Sequence, residues 1–252
     1  MAAKPALRCR RTQSEILSRR GMIMRCIRGW IYLTAPLLAA CTAAPIALPS
    51  GLATRAQAVS ITGMGYGERG NFAIGNSSGT FLRNALTEEE GQFLSPPHVL
   101  RSYGGSRFRV SGPDFEGLIE GQCVYDEAHV TEGPATTTVS PFLYRCEFLR
   151  NGDRIDAALV LHAAPRKLGP FATETRAGEL NIGGRKIVIQ PIHLSPKLRL
   201  PASEPLGYRF ISNGLDVAAI DINGVRKTVY VGAVDREAVM IASVALSLLW
   251  YH

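Results

Sequence analysis

Residues 235–252 read DREAVMIASVALSLLWYH, and this stretch decides the fold. Every residue from Ala238 to Tyr251 is apolar except two serines, so a helix built from them has no polar face. These fourteen residues would make a helix of roughly 21 Å, too short for the ~30 Å hydrocarbon core of a membrane. We therefore expect a helix enclosed by the protein's own core, with Asp235 as N-cap and Glu237 near the positive end of its dipole.

Short segments rich in β-branched and aromatic residues follow one another from Val59 to Ala233, separated by Gly, Pro, Asn or Asp. We count about twelve such segments. Only residues 87–103 are poorly strand-like, and we expect a helical turn and a long loop there. Hairpin-turn sequences, which need residues that tolerate positive φ, occur at Asn151-Gly152-Asp153, Asn181–Gly184, Asn213-Gly214 and Asn223-Gly224.

The strand count and the apolar tail together predict a mainly β fold. We expect a single antiparallel barrel of about twelve strands that buries the C-terminal helix, because closure leaves no exposed sheet edge. The alternative is another barrel or a sandwich with the helix packed outside.

The end of the chain also resembles a known fold. Residues 206–249, LGYRFISNGLDVAAIDINGVRKTVYVGAVDREAVMIASVALSLL, are similar to the end of the tubby-like, scramblase and LURP-one-related fold. In both, a strand with an aromatic residue and a turn precedes a basic-flanked strand, an acidic cap and a hydrophobic helix. The resemblance implies a closed barrel around a central helix.

The positive charge of the chain is concentrated in its first part. Residues 1–40 hold eight Lys or Arg and one acidic residue, whereas the remainder holds twenty of each sign. The remainder therefore gives no electrostatic reason to expect a nucleic-acid partner. Basic residues up to Arg28 precede the uncharged segment Gly29–Ala40, an arrangement typical of a secretory signal peptide. Met22 or Met24 could be the true start; otherwise Ser18–Ile23 resembles a twin-arginine export motif.

The signal peptide ends in Leu38-Ala39-Ala40-Cys41, which resembles the lipobox of bacterial lipoproteins. The resemblance implies cleavage before Cys41 and lipidation of its thiol and its new N-terminus. Because Thr42, and not Asp, follows the cysteine, the enterobacterial sorting pattern implies the periplasmic face of the outer membrane. The alternatives are an ordinary signal peptide or a membrane anchor that is retained.

Two cysteines, Cys123 and Cys146, remain after the leader and Cys41. Each lies in an apparent strand of a domain that the leader would deliver to an oxidising compartment. We predict a disulfide between them, which would close a loop of about 24 residues and stabilise the fold by roughly 3 kcal/mol. Two buried free thiols are the alternative. We predict no metal site, since no second Cys or His lies at ligand spacing from either cysteine.

These features divide the chain into three parts. Residues 1–40 are the predicted signal peptide. Residues 41–58, rich in small residues and Pro, are predicted to be a lipidated and flexible tether. Residues 59–252 form one β domain with the C-terminal helix, long enough to bury a single core.

Two glycine-containing motifs admit a functional reading. Gly65–Gly70 fits G-x-G-x-x-G, but strand and turn follow it where a dinucleotide site needs a helix, so we expect a turn and no cofactor. Gly75–Gly79 fits G-x-S-x-G around Ser77, but residues 80–86 continue as a strand, so we expect a hairpin. A serine hydrolase would draw its acid and base from Asp153 or Asp156 and from His162 or His193.

The sequence thus favours a non-enzymatic, lipid-anchored protein of the bacterial envelope. It would bind or scaffold at the membrane, with a lipid or an envelope protein as its partner. The alternatives are a serine hydrolase that uses Ser77 and a purely structural assembly lipoprotein. We interpret the basic pairs as surface charge, although such pairs could face a membrane: Arg166-Lys167, Arg185-Lys186 and Arg226-Lys227.

The lipobox makes a direct prediction. Cys41→Ser should abolish incorporation of labelled fatty acid and release the protein from membranes, because the thiol that carries the lipid is gone. Cys26→Ser, which changes a cysteine of the leader, should leave labelling intact. A Cys41→Ser protein that stays uncut in the membrane would instead identify the segment as a retained anchor.

Overall fold

The computed structural model describes residues 44–92, 95–132, 135–163 and 176–249. Cys41 and Arg166-Lys167 lie outside these ranges. The described chain contains a short helix α1 (Ser50–Ala53), twelve strands and the C-terminal helix α2 (Arg236–Ser247). The strands are β1 (Gln57–Thr62), β2 (Arg69–Ile74), β3 (Ser77–Gln92), β4 (Ser95–Ser111), β5 (Ile119–Glu132), β6 (Ala135–Arg150), β7 (Asp153–Ala163), β8 (Arg176–Ile182), β9 (Arg185–Ile192), β10 (Gly207–Ser212), β11 (Leu215–Asp221) and β12 (Lys227–Val231).

The strands form one closed antiparallel barrel in which each strand pairs with its neighbours in the chain. The barrel closes where β1 pairs with β12, with Gln57 opposite Val231. The hairpin at Asn213-Gly214 shows why the turn sequences suit this path: both residues have positive φ, 50° and 77°, as a two-residue turn requires. The predicted single barrel of about twelve strands is confirmed.

Helix α2 lies inside this barrel. The ten consecutive residues Ala238–Ser247 are all buried, which requires protein on every side of the helix. The apolar residues among them belong to one core cluster with inward side chains from around the barrel, among them Phe108, Tyr144 and Phe210. The Tyr144 hydroxyl donates a hydrogen bond of 2.8 Å to the Ala245 carbonyl oxygen. No helix within the described ranges is long and apolar enough to cross a membrane.

Ion pairs surround the N-terminal end of helix α2. Glu237 accepts a bond from Arg150 at 2.9 Å and another from the backbone N–H of Glu116 at 2.8 Å. Asp235 occupies the N-cap position, but its carboxylate pairs with Arg185 and makes no side-chain capping bond. Asp235 is therefore at the predicted N-cap position, but its side chain does not cap the helix as predicted. The residue has a left-handed φ of 57°, and the Arg185 side chain binds its carboxylate.

The predicted disulfide is present in the barrel wall. Cys123 on β5 and Cys146 on β6 are direct register partners, and both side chains are buried on the inner face. The crosslink thus ties together two of the longest strands, of 14 and 16 residues. It lies on the same inner face as Tyr144, which contacts the helix.

The stretch before β1 departs from the flexible tether that its composition predicts. Ile46 and Leu52 are buried in a small outer cluster with Ile192 and Ala219. The backbone N–H of Ile46 donates to the Asp221 carboxylate at 3.1 Å. The described residues from Ala44 onward therefore already pack on the barrel before β1 begins. Composition missed this because two isolated apolar residues show no periodicity, yet a matching outer patch buries them.

Residues 87–103 also differ from their prediction. Residues 87–92 belong to β3 and residues 95–103 to β4, with Glu89 opposite Leu100 and Thr87 opposite Ser102, instead of forming a helical turn and a loop. Pairing with the neighbouring strand β5 extends as far as His98 opposite Thr131. Cross-strand pairing therefore overrides the weak local propensity of an acidic and Pro-containing segment.

The central position of α2 makes its side chains the most sensitive in the protein. Ile241→Ala and Leu246→Ala should each cost about 2–5 kcal/mol in free energy of unfolding, because the strands around them cannot close the resulting cavity. Leu215→Ala, at an exposed leucine, should change stability by no more than about 0.5 kcal/mol. Urea unfolding followed by circular dichroism measures all three. A cooperative transition in a chain lacking residues 236–252 would contradict the central helix.

Candidate functional site

The barrel interior is occupied by α2 and by the aromatic side chains that pack on it, and the recesses that could bind a partner lie at the surface. One recess lies on the outer face of β3, β4 and β5, and another lies at the rim of the barrel above the end of α2. We call them the outer groove and the rim pocket. Within the described residues they combine open space with charged side chains.

The outer groove has a volume of about 610 Å³. It exists because Gly105 occupies an outward position between Asn84 on β3 and Val124 on β5, its two register partners. With no side chain at Gly105, the backbone forms the floor, and a Cβ there would stand only 2.9 Å from the Cys123 carbonyl oxygen. A second hollow of about 470 Å³ continues the groove toward Arg109 and Glu120.

The walls of the outer groove combine aliphatic and cationic side chains with two acidic ones, Glu68 and Asp126. Leu82 and Val124 are each about half exposed, at 53% and 54%. Arg107 is the register partner of Leu82, and Arg145 is that of Val124. In the part of the chain that the structure describes, neither arginine forms an ion pair or a side-chain hydrogen bond, whereas Arg101 nearby pairs with Asp126 at 2.9 Å. The groove therefore presents positive charge beside exposed aliphatic surface.

The rim pocket lies between the β1–β2 loop and the β11–β12 loop. Its volume is about 190 Å³, and the last turn of α2 forms its inner wall. Two of its residues are strongly exposed apolar tips, Tyr66 at 84% and Val225 at 68%. The lining comprises Met64, Gly65, Tyr66, Arg83, Ile222, Gly224, Val225, Lys227, Ser247 and Leu249.

Two cations share the rim pocket. Arg83 points inward from β3 and donates from Nε to the Gly67 carbonyl oxygen at 3.1 Å and from Nη2 to that of Gly65. Burial lowers the pKa of Lys227, the charge of Arg83 lowers it further, and Asp221 opposes the shift. The one hydrogen bond of the Lys227 ammonium within the described chain is a long one, 3.4 Å, to the Gly224 carbonyl oxygen. Both cations suit the negative end of the helix dipole.

The glycine motif at residues 65–70 serves this pocket as a loop. Its carbonyl oxygens accept hydrogen bonds from Arg83, whereas a phosphate-binding loop would donate from its N–H groups. The prediction of a turn there is confirmed, since these residues connect β1 to β2.

Sequence reasoning missed the pocket residues. Lys227 belongs to a basic pair interpreted as surface charge, but only Arg226 of that pair is exposed. Arg185 and Lys186 do lie at the surface, paired with Asp235 and Glu179. Arg83 follows the buried Phe81 by two residues, so in a strand both side chains point to the same face of the sheet. This alternation is the signal from which the inward direction of Arg83 could have been predicted.

Ser77 begins β3 directly after the turn at Gly75-Asn76, as the hairpin prediction requires. Its hydroxyl donates to the Asp114 carboxylate at 3.2 Å and accepts from the Asp114 N–H at 3.1 Å. Burial alone would raise the pKa of Asp114, but hydrogen-bond donors led by Arg236 lower it. In the described chain none of the predicted triad partners, Asp153, Asp156, His162 and His193, hydrogen-bonds Ser77.

This geometry gives Ser77 a structural role that can be measured. Ser77→Ala should destabilise the fold by about 1–3 kcal/mol, because it removes the acceptor of the partly buried Asp114 N–H and a donor to the Asp114 carboxylate. Ser78→Ala, at the exposed next residue, should have almost no effect. Neither the parent nor Ser78→Ala should react with a fluorophosphonate probe, and labelling of Ser77 would restore the hydrolase alternative.

Comparisons of the chain with protein-family models, curated proteins and solved structures give no match. Its function is therefore inferred from the outer groove and the rim pocket.

Proposed function

We infer that the protein is a lipid-anchored, non-enzymatic envelope protein that holds a partner on the outer face of its barrel. The outer groove is the observation that carries this inference. The interior is taken up by α2, so a ligand enclosed within the barrel, as in lipid carriers with hollow barrels, is disfavoured. An open trough on the wall suits a scaffold better than a carrier.

The lining of the groove indicates the chemistry of the partner. Leu82 and Val124 offer aliphatic contact, and Arg107 offers a charge that forms no ion pair in the described structure. Arg145, the register partner of Val124, supplies a second such charge beside the groove. Alternating apolar and acidic side chains on one extended segment would satisfy both features. An envelope protein that presents such a segment fits the elongated shape better than a single small molecule.

The proposed anchor supports a role at the membrane. A lipidated Cys41 would confine the barrel to the membrane surface and raise its effective concentration for partners held there. The disulfide agrees with an oxidising compartment such as the periplasm. A structural assembly role is one form of the same scaffold function.

The groove can be tested by site-specific crosslinking. A photoreactive amino acid at position 124, on the full-length protein in native membranes, should form one dominant protein adduct. The same amino acid at position 215, an exposed leucine on the β10–β11 hairpin, should not form it. Arg107→Glu should lower the adduct yield by about tenfold or more, since it places a like charge against an acidic partner.

Arg199→Glu supplies the matched control, because Arg199 is exposed and has no described partner. It should leave the adduct unchanged. Equal adducts from positions 124 and 215, or indifference to Arg107→Glu, would rule out the groove as the binding face.

A further inference from the structure

The rim pocket combines buried cations with exposed apolar residues at its entrance, and cations that only stabilise the end of a helix would not need those residues. Its entrance lies between two loops whose tips, Tyr66 and Val225, hold their apolar side chains in solvent. Two exposed arginines, Arg69 and Arg226, flank these tips, and Glu68 is the one exposed acidic residue of the same two loops. Apolar tips beside basic residues are typical of surfaces that contact an anionic membrane.

The inside of the pocket fits an oxyanion. The Lys227 ammonium makes no ion pair with a carboxylate in the described chain, since Asp221 accepts bonds from the N–H groups of Ile46 and Asn223 instead. The Ser247 hydroxyl, buried in the pocket wall, has no hydrogen-bond partner among the described residues. The volume of about 190 Å³ is several times the ~30 Å³ share of one water. A phosphate group would give both donors an acceptor.

The first described residues of the chain lie beside this pocket. The Asn223 side chain donates from Nδ2 to the Ala44 carbonyl oxygen at 2.9 Å, so the chain runs past the β11–β12 loop before it reaches α1.

We propose that the rim pocket binds the phosphate of an anionic membrane lipid, with Lys227 and Ser247 as ligands and with Tyr66 and Val225 inserted at the interface. The orientation toward the membrane rests on the proposed lipid anchor, while the phosphate site itself stands on the pocket. The barrel would then dock rim-first, and the outer groove would face sideways along the membrane surface.

The test uses residues 42–252, the compact unit that contains the whole barrel, so that it does not depend on lipidation. Sedimentation with vesicles measures binding to phosphatidylcholine alone and to phosphatidylcholine mixed with phosphatidylglycerol. The protein should bind only the mixed vesicles. Lys227→Met keeps the aliphatic stem and should weaken that binding about fivefold or more. Tyr66→Ser with Val225→Ser should weaken it similarly.

Lys186→Met is the matched control, because Lys186 lies at the opposite end of the barrel and pairs with Glu179. It should bind mixed vesicles like the parent. Circular dichroism confirms that each variant is folded. If Lys227→Met binds like the parent, the two cations serve only the helix dipole and the proposal is overturned.

A second arm separates a lipid headgroup from a free phosphate. Glycerol 1-phosphate, titrated by calorimetry, should bind weakly and compete with vesicles. Binding of glycerol phosphate without any vesicle binding would overturn the membrane assignment. Failure of the lipid anchor is distinguishable, since it would appear as loss of the Cys41→Ser effect while vesicle binding by residues 42–252 persisted.

Discussion

A helix that is buried on every face needs a wall on every side, and this need governs the structure. Ten consecutive residues of α2 are buried, and twelve strands close around them. The helix fills the barrel and the barrel removes the sheet edges, so neither element is stable without the other. The Tyr144–Ala245 hydrogen bond and the Cys123–Cys146 crosslink then hold the wall to the helix and to itself.

Because α2 fills the interior of the barrel, any binding site among the described residues lies on its outer surface. A barrel of this size without a helix would offer a lumen, whereas here the described recesses lie on the wall and at the rim. The outer groove depends on a missing side chain at Gly105, and the rim pocket depends on two loops at the end of the helix. Each recess exposes apolar side chains next to cations.

The direction of the helix gives the two ends of the barrel different charges. Glu237 meets Arg150 at the entry of α2, where the helix dipole is positive. Arg83 and Lys227 lie at the other end, where the dipole is negative, and burial lowers the pKa of both side chains. The cationic end is also the end at which Ala44 meets the barrel, through the Asn223 side chain.

The sequence by itself determined the class of fold, because strand alternation, turn residues and an apolar tail are local signals. It also predicted the disulfide, since Cys123 and Cys146 are the two cysteines that lie in predicted strands. Only the tertiary structure decided the rest. Gly105 lies between Asn84 and Val124 through register, and Arg83 meets Lys227 through barrel closure. Ile46 and Leu52 are buried because they pack on Ile192 and Ala219, which are far away in the chain. Residues 87–92 and 95–103 are strands because neighbouring strands pair with them. Contacts between residues far apart in the chain leave no local pattern to read.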